Sequence, residues 1–220
     1  MSDARTAILA RLRAAGAPGL LPHLDTAVMD RRHWPAAERV ARLRAGMEAI
    51  HTEFLDATPT NWTAVTRSFC DHEGLKNLLY GPTSQAGMAL AASWASGGTQ
   101  LMPYDRPVED FKAELFSGVE AGFTSTVSGI AETGGLLLTP GPEEPRLLSL
   151  VPPVHIALLR ASTIQDSFWS AVKALGWGRS LPANALLISG PSKTADIEQT
   201  LAYGVHGPKR LIVVLMDDLN

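Results

Sequence analysis

Apolar positions at Val40, Leu43, Met47, Ile50 and Phe54 recur at steps of three and four, which predicts one helix with a single buried stripe. Pro35 stands where a first-turn proline belongs and Pro59 follows the end. A shorter helix is expected around Ile8 to Leu12, and the stretch from Gly16 to Trp34 reads as a loop or extended arm. Polar and apolar residues alternate over Thr63 to Phe69 with β-branched members, which predicts a half-buried strand. Asp105 and Pro107 open a helix that carries Val108, Phe111 and Leu115 on one face. From Ala121 to Thr139, Thr, Val and Ile are broken by Gly129 and Gly134-Gly135, as in one or two strands interrupted by a tight exposed turn.

The last third is patterned differently. Three short apolar runs, Val154 to Leu159, Ala185 to Ile188 and Leu211 to Leu215, lack polar alternation. Between the first two, Thr163 can cap a helix bearing Ile164, Phe168, Val172 and Leu175 and ending at Gly176. Between the last two, a helix with Ile197 and Leu201 is expected to stop at Gly204. Unalternated strands separated by helices predict a mainly parallel sheet buried on both faces and flanked by helices, an α/β fold. Residues 1–60 read as an N-terminal helical extension packed on the core, and residues 61–220 as a single α/β domain.

Composition narrows the function classes. The 220 residues carry a formal net charge of −3 and 45% apolar residues, so there is an ordinary core and no global attraction to nucleic acid or anionic membrane. Arg31-Arg32 and Arg39, Arg42 and Arg44 cluster, but at the spacing of a solvated helix face. No apolar run reaches the length of a membrane span, and the charged start, with Asp3, Arg5, Arg11 and Arg13, does not read as a signal peptide; a cytoplasmic protein is expected. Cys70 is the only cysteine, so no internal disulfide forms and no thiolate cluster can be built from this chain. The histidines show no ligand spacing, and no GxGxxG follows a strand, so neither a metal site nor a Rossmann nicotinamide site is expected. Cys70-Asp71-His72 are too close in sequence for a nucleophile–base pair, and His155 inside an apolar strand reads as a core histidine.

In an open parallel sheet, ligands gather at strand carboxyl ends, and three loops are expected to project there. In Ser189-Gly190-Pro191-Ser192-Lys193-Thr194, glycine, hydroxyls, a lysine and free backbone N–H groups could surround an anion, although Asp196 and Glu198 already place negative charge nearby. A plain strand-to-helix turn capped by Ser192 or Thr194 explains the same residues. In Ala131-Glu132-Thr133-Gly134, a carboxylate between glycines can be nucleophile, base or ligand-binding group, or can merely bond nearby backbone N–H groups. His206, in Gly204-Val205-His206-Gly207-Pro208, suits an acid–base group or a helix cap.

Those three segments, together with Leu147-Leu148-Ser149-Leu150-Val151-Pro152-Pro153-Val154-His155-Ile156, resemble the LutC/YkgG branch of LUD-domain proteins in order and spacing from about Thr124 onward. The resemblance implies a fold like that of the glucosamine-phosphate isomerase, ribose-phosphate isomerase and CoA-transferase superfamily (NagB/RpiA/CoA-transferase-like). It also implies a role in oxidising L-lactate to pyruvate beside LutA-like and LutB-like iron–sulfur proteins, with the clusters in those partners and no cofactor in this chain. Glu132 and His206 are then the expected catalytic groups. Thr133, Gly134, Ser189, Gly190, Ser192, Lys193 and Thr194 are the expected binding groups for a small carboxylate or other anion. Gly135 stands where the family pattern leads one to expect Ser or Thr, so no hydroxyl assists Glu132 from that position. A non-catalytic assembly subunit and an acyl- or CoA-transferring enzyme using Glu132 are the alternative classes.

Overall fold

A computed structural model describes residues 2–14, 26–195, 201–203 and 207–219. The chain forms two compact units, Met1–Arg32 and His33–Asn220. The first contains helix α1, Ser2–Ala14.

The second unit is built on a six-stranded sheet whose paired strands are all parallel. Its strands are β1 (Glu53–Ala57), β2 (Asn77–Tyr80), β3 (Gln100–Pro103), β4 (Ala121–Ser125), β7 (Val154–Arg160) and β12 (Arg210–Met216), in the order β1-β12-β7-β4-β2-β3. The central strands read as unbroken apolar runs because both of their faces are covered. Ile212, Val214 and Met216 of β12 enter one core with Ile156 and Leu158, whereas Leu211, Val213 and Leu215 enter another with Ala157 and Leu159. The side-chain period of two therefore sorts one apolar run into two cores.

Helices α3 (Trp62–His72) and α4 (Gln85–Ser93) cover the first face through Trp62, Cys70 and Leu90. On the other side lie α2 (Ala36–Glu48), α5 (Val108–Ser117), the short α6 (Leu147–Leu150) and a second sheet. That sheet has the order β8-β5-β6-β9, from β5 (Ser128–Ile130), β6 (Gly135–Leu138), β8 (Ile164–Gln165) and β9 (Leu186–Ile188). Helix α7 (Phe168–Ala174) packs Ala171 against Ile130 and Leu137 of it. The final pair, β10 (Lys193–Ala195) and β11 (Leu201–Tyr203), is antiparallel.

Five expectations change. Thr63 to Phe69 is helical, because Trp62, Thr66 and Cys70 bury at steps of four; the seven-residue alternation was shorter than that wider pattern. The apolar stripe from Val40 ends as helix at Glu48, and Phe54 belongs to β1. Ile164 is a strand residue paired with Gly129, so Ser167, not Thr163, caps the following helix by accepting from the Ser170 N–H at 3.2 Å. The run ending at Ile188 pairs antiparallel with β6 in the small sheet, so only β7 and β12 of the last three runs share the central sheet. Lys193 to Ala195 and Leu201 to Tyr203 are strands, so the segment after Ile188 does not open directly into a helix; the expected helix position Ile197 lies outside the described residues.

Candidate functional site: turns at one end of the small sheet

Strands β5 and β8 are parallel, and β9 runs with them because both β5 and β9 oppose β6. Their carboxyl ends therefore lie together. The turn at 131–134 leaves β5 there: Ala131 donates to the Gln165 carbonyl at 2.9 Å, Glu132 N–H to the Asp166 carbonyl at 3.0 Å, and Gly134 N–H to the Ile130 carbonyl at 3.1 Å. The side chains of Glu132 and Thr133 are exposed, while Ala131 and Gly134 are buried. Gly134 has φ +64°, and a Cβ on it would stand 2.9 Å from the Gly46 carbonyl carbon and 3.0 Å from Met47 N. The turn is thus pressed onto the last turn of α2, which explains glycine on both sides of the contact.

Ser189 and Gly190 leave β9 at this same end, one register step from Gly135. The Ser189 carbonyl accepts from Thr52 Oγ1 at 3.5 Å, and a Cβ on Gly190 would meet Ile50 Cδ1 at 2.8 Å. Ser192 N–H donates to the Pro208 carbonyl at 2.8 Å, and Gly207 packs beside Ser192. Lys193 is exposed at the start of β10, opposite Tyr203, and Thr194 pairs with Ala202. The structure thus brings Glu132, Thr133, Gly134, Ser189 and Gly190 to one end of the small sheet, with Ser192 and Lys193 following; His206 lies outside the described residues.

This end is not the carboxyl edge of the central sheet. Thr52 directly precedes β1 and Pro208 lies two residues before β12, so the segment from Ser189 to Ser192 crosses the amino ends of those strands. The expectation placed all three loops at central-sheet carboxyl ends because it put β9 in that sheet. With Lys193 to Ala195 in a ladder, the Ser189–Thr194 segment also lacks the helix N-terminus that would have aimed N–H groups at an anion.

Two features of the structure were not anticipated. Asp166, 5% exposed, receives the Trp34 N–H at 2.9 Å and stands 3.2 Å from His33 Nδ1, tying the entry to α2 against the 131–134 turn. Its sole sequence signal is its place before the capping Ser167. The second lies elsewhere: an open cleft of about 620 Å3 at the true carboxyl edge of the central sheet, lined by Trp62, Gln85, Ser125, Thr126, Glu144 and Arg160 among others. The sequence hint for it was turn-forming residues after β2 (Gly81-Pro82) and after β6 (Pro140-Gly141-Pro142).

Among the described residues, no group of three or more His, Cys, Asp or Glu is placed to hold a metal ion. Cys70 is fully buried in α3, and burial, with the Asp71 charge beside it, pushes its thiol up to about 12. His155 is also fully buried; its Nε2 lies 2.8 Å from Thr124 Oγ1, its Nδ1 has no partner among the described residues, and burial pushes its pKa down to about 3. Neither group is poised for acid–base or nucleophilic work at neutral pH.

A parallel central sheet with a small antiparallel-rich sheet docked on one face, and glycine-bearing turns at that sheet's end, defines the class of protein. The sequence profile of the LUD domain matches residues 40–216, and the chain belongs to this family, in its LutC/YkgG branch. It is 40% identical to an uncharacterized protein of Neisseria meningitidis serogroup B, covering 96% of this chain and 93% of that one. It is 30% identical to lactate utilization protein C 1 of Bacillus mycoides, covering 82% and 80%. The crystal structure of a DUF162 family protein from Deinococcus radiodurans shares the fold, with TM-score 0.63, 20% identity, and coverage of 84% of this chain and 99% of that one.

Proposed function

We propose that this chain is a LutC-like subunit of a cytoplasmic L-lactate-utilisation system. It acts in the oxidation of lactate to pyruvate with LutA-like and LutB-like iron–sulfur proteins. The relative in Bacillus mycoides is named for lactate utilisation, which supports this reading. In it, the electrons pass to clusters held by the partners, and this chain contributes a site for a small carboxylate or other anion. Lys193 supplies the charge; Ser189, Gly190, Ser192 and Thr194 supply donors; Thr133 and Gly134 shape the wall; Glu132 and His206 act on the bound group. The observation that carries the site is the meeting of the 131–134 turn and the Ser189–Gly190 segment at one end of the small sheet.

Replacing Lys193 by Ala removes a charge-assisted hydrogen bond of about 1.5–3 kcal/mol, so a small carboxylate should bind roughly tenfold more weakly or worse. The exposed position of Lys193 leaves the fold intact. Calorimetric titration of both forms with lactate, pyruvate and phosphate, beside pull-down of the two partners, reads this directly. Intact partner binding with no small-anion binding by the unmodified chain would leave a pure assembly subunit. The exposure of Glu132, Thr133 and Lys193 also suits that second reading.

A further inference from the structure

We propose that the cleft at the carboxyl edge of the central sheet is a second ligand site, built for a singly charged, hydroxyl-rich organic acid of about four to six carbons. Strands β4, β7 and β12 end at Ser125, Arg160 and Met216, and all three residues line it. It lies at the opposite end of the central sheet from the Ser189–Ser192 segment, so it owes nothing to the site proposed above.

One wall is held by backbone contact. A Cβ on Gly81, after β2, would fall 2.0 Å from the Glu143 carbonyl oxygen, so the 141–144 segment rests directly on the loop that leads to α4. Glu144 is anchored by one carboxylate oxygen, which accepts both the N–H and the hydroxyl of Ser125 at 2.9 Å. Its other oxygen is buried and has no hydrogen-bond partner among the described residues. A carboxylate oxygen without a donor is costly, and a ligand hydroxyl entering beside the Glu144 side chain, which lines the cleft, would supply one.

The opposite charge comes from Arg160. Its side chain is 53% exposed, and its ion pair with Asp218 is long, 4.0 Å. Asp218 is already engaged at 2.8 and 2.7 Å by the N–H and hydroxyl of Ser162. The guanidinium therefore retains donors for a carboxylate. Gln85 and Ala86 of the first turn of α4 also line the cleft, and backbone N–H groups there have no intrahelical acceptor. Trp62, Leu158 and Met216 add apolar surface.

Size and charge select the ligand class. A volume near 620 Å3 is far larger than a three-carbon acid needs. Among the described lining residues Arg160 is the one cation, beside the carboxylates of Glu143 and Glu144, so it can pair with a single ligand carboxylate while the two acids accept from hydroxyls; a multiply charged phosphate ester would be repelled.

The test is calorimetric titration of the full chain with D-gluconate, hexanoate (charge without hydroxyls), sorbitol (hydroxyls without charge) and inorganic phosphate. Gluconate should bind, at least tenfold more tightly than the other three. Arg160→Gln and Glu144→Gln should each weaken it about tenfold. Unchanged melting temperatures would show that the fold survives, and Lys193→Ala should leave gluconate binding intact. Absence of gluconate binding up to about 10 mM would overturn the proposal. So would equal binding of sorbitol or tighter binding of phosphate, or affinity unchanged in Arg160→Gln. Loss of lactate binding in Lys193→Ala tests the other site separately.

Discussion

His155 sits in the middle of an unalternated apolar strand, and the structure gives that placement a pH consequence. In the unfolded chain its imidazole takes a proton near pH 6.5, and in the fold only near pH 3. Between those values the unfolded state binds the extra proton, so stability rises with pH through the window and is lost as pH falls below about 6.5, at about 1.4 kcal/mol per pH unit. His155→Gln keeps a polar group near Thr124 and cannot titrate. Urea unfolding at pH 7 and pH 5 should show an acid-induced loss about 2 kcal/mol smaller in the variant than in the unmodified chain. Equal losses would mean that His155 is not the group that titrates. The residue's burial was readable from its apolar neighbours. Its hydrogen bond to Thr124 was not, because Thr124 lies on the adjacent strand β4, 31 positions away in sequence.

At the scale of the element, the 131–134 turn and α2 are one device. Gly134 occupies a left-handed conformation and its Cα lies against the backbone of Gly46, with neither side able to yield as a flexible side chain would. Gly134→Ala should therefore cost about 2–3 kcal/mol of stability, from the strained φ together with the backbone clash. Gly178→Ala, where a Cβ meets nothing within 4 Å, should change stability by less than about 0.5 kcal/mol. Denaturant midpoints of the two variants check the pair; equal midpoints would remove the clash argument. The glycines around Glu132 were visible as a turn in the sequence. That the turn is pinned by a helix ending some 85 residues earlier could not be seen there.

For the whole molecule, the proposed role has a plain spectroscopic expectation. The purified chain should be colourless and should not reduce a dye with lactate by itself, gaining that activity only with its two iron–sulfur partners. Stoichiometric bound flavin or iron, or lactate-dependent dye reduction by this chain alone, would overturn the division of labour. Among the described residues no helix is long and apolar enough to cross a membrane.

The sequence by itself determined the fold class. Runs without polar alternation at Val154 to Leu159 and Leu211 to Leu215 require cover on both faces, and they are neighbours at the centre of a parallel sheet. It also carried the family, because the turn motifs are local and keep their order. The tertiary structure decided which sheet each short run joins. Leu186 to Ile188 has too few residues for its pattern to separate a parallel central strand from an antiparallel partner of β6, so pairing, not propensity, fixed it. That one pairing moved the Ser189–Ser192 segment to the amino ends of the central strands. It left the carboxyl edge to Arg160, Glu144 and Ser125, two strand ends and a loop residue that only the fold assembles.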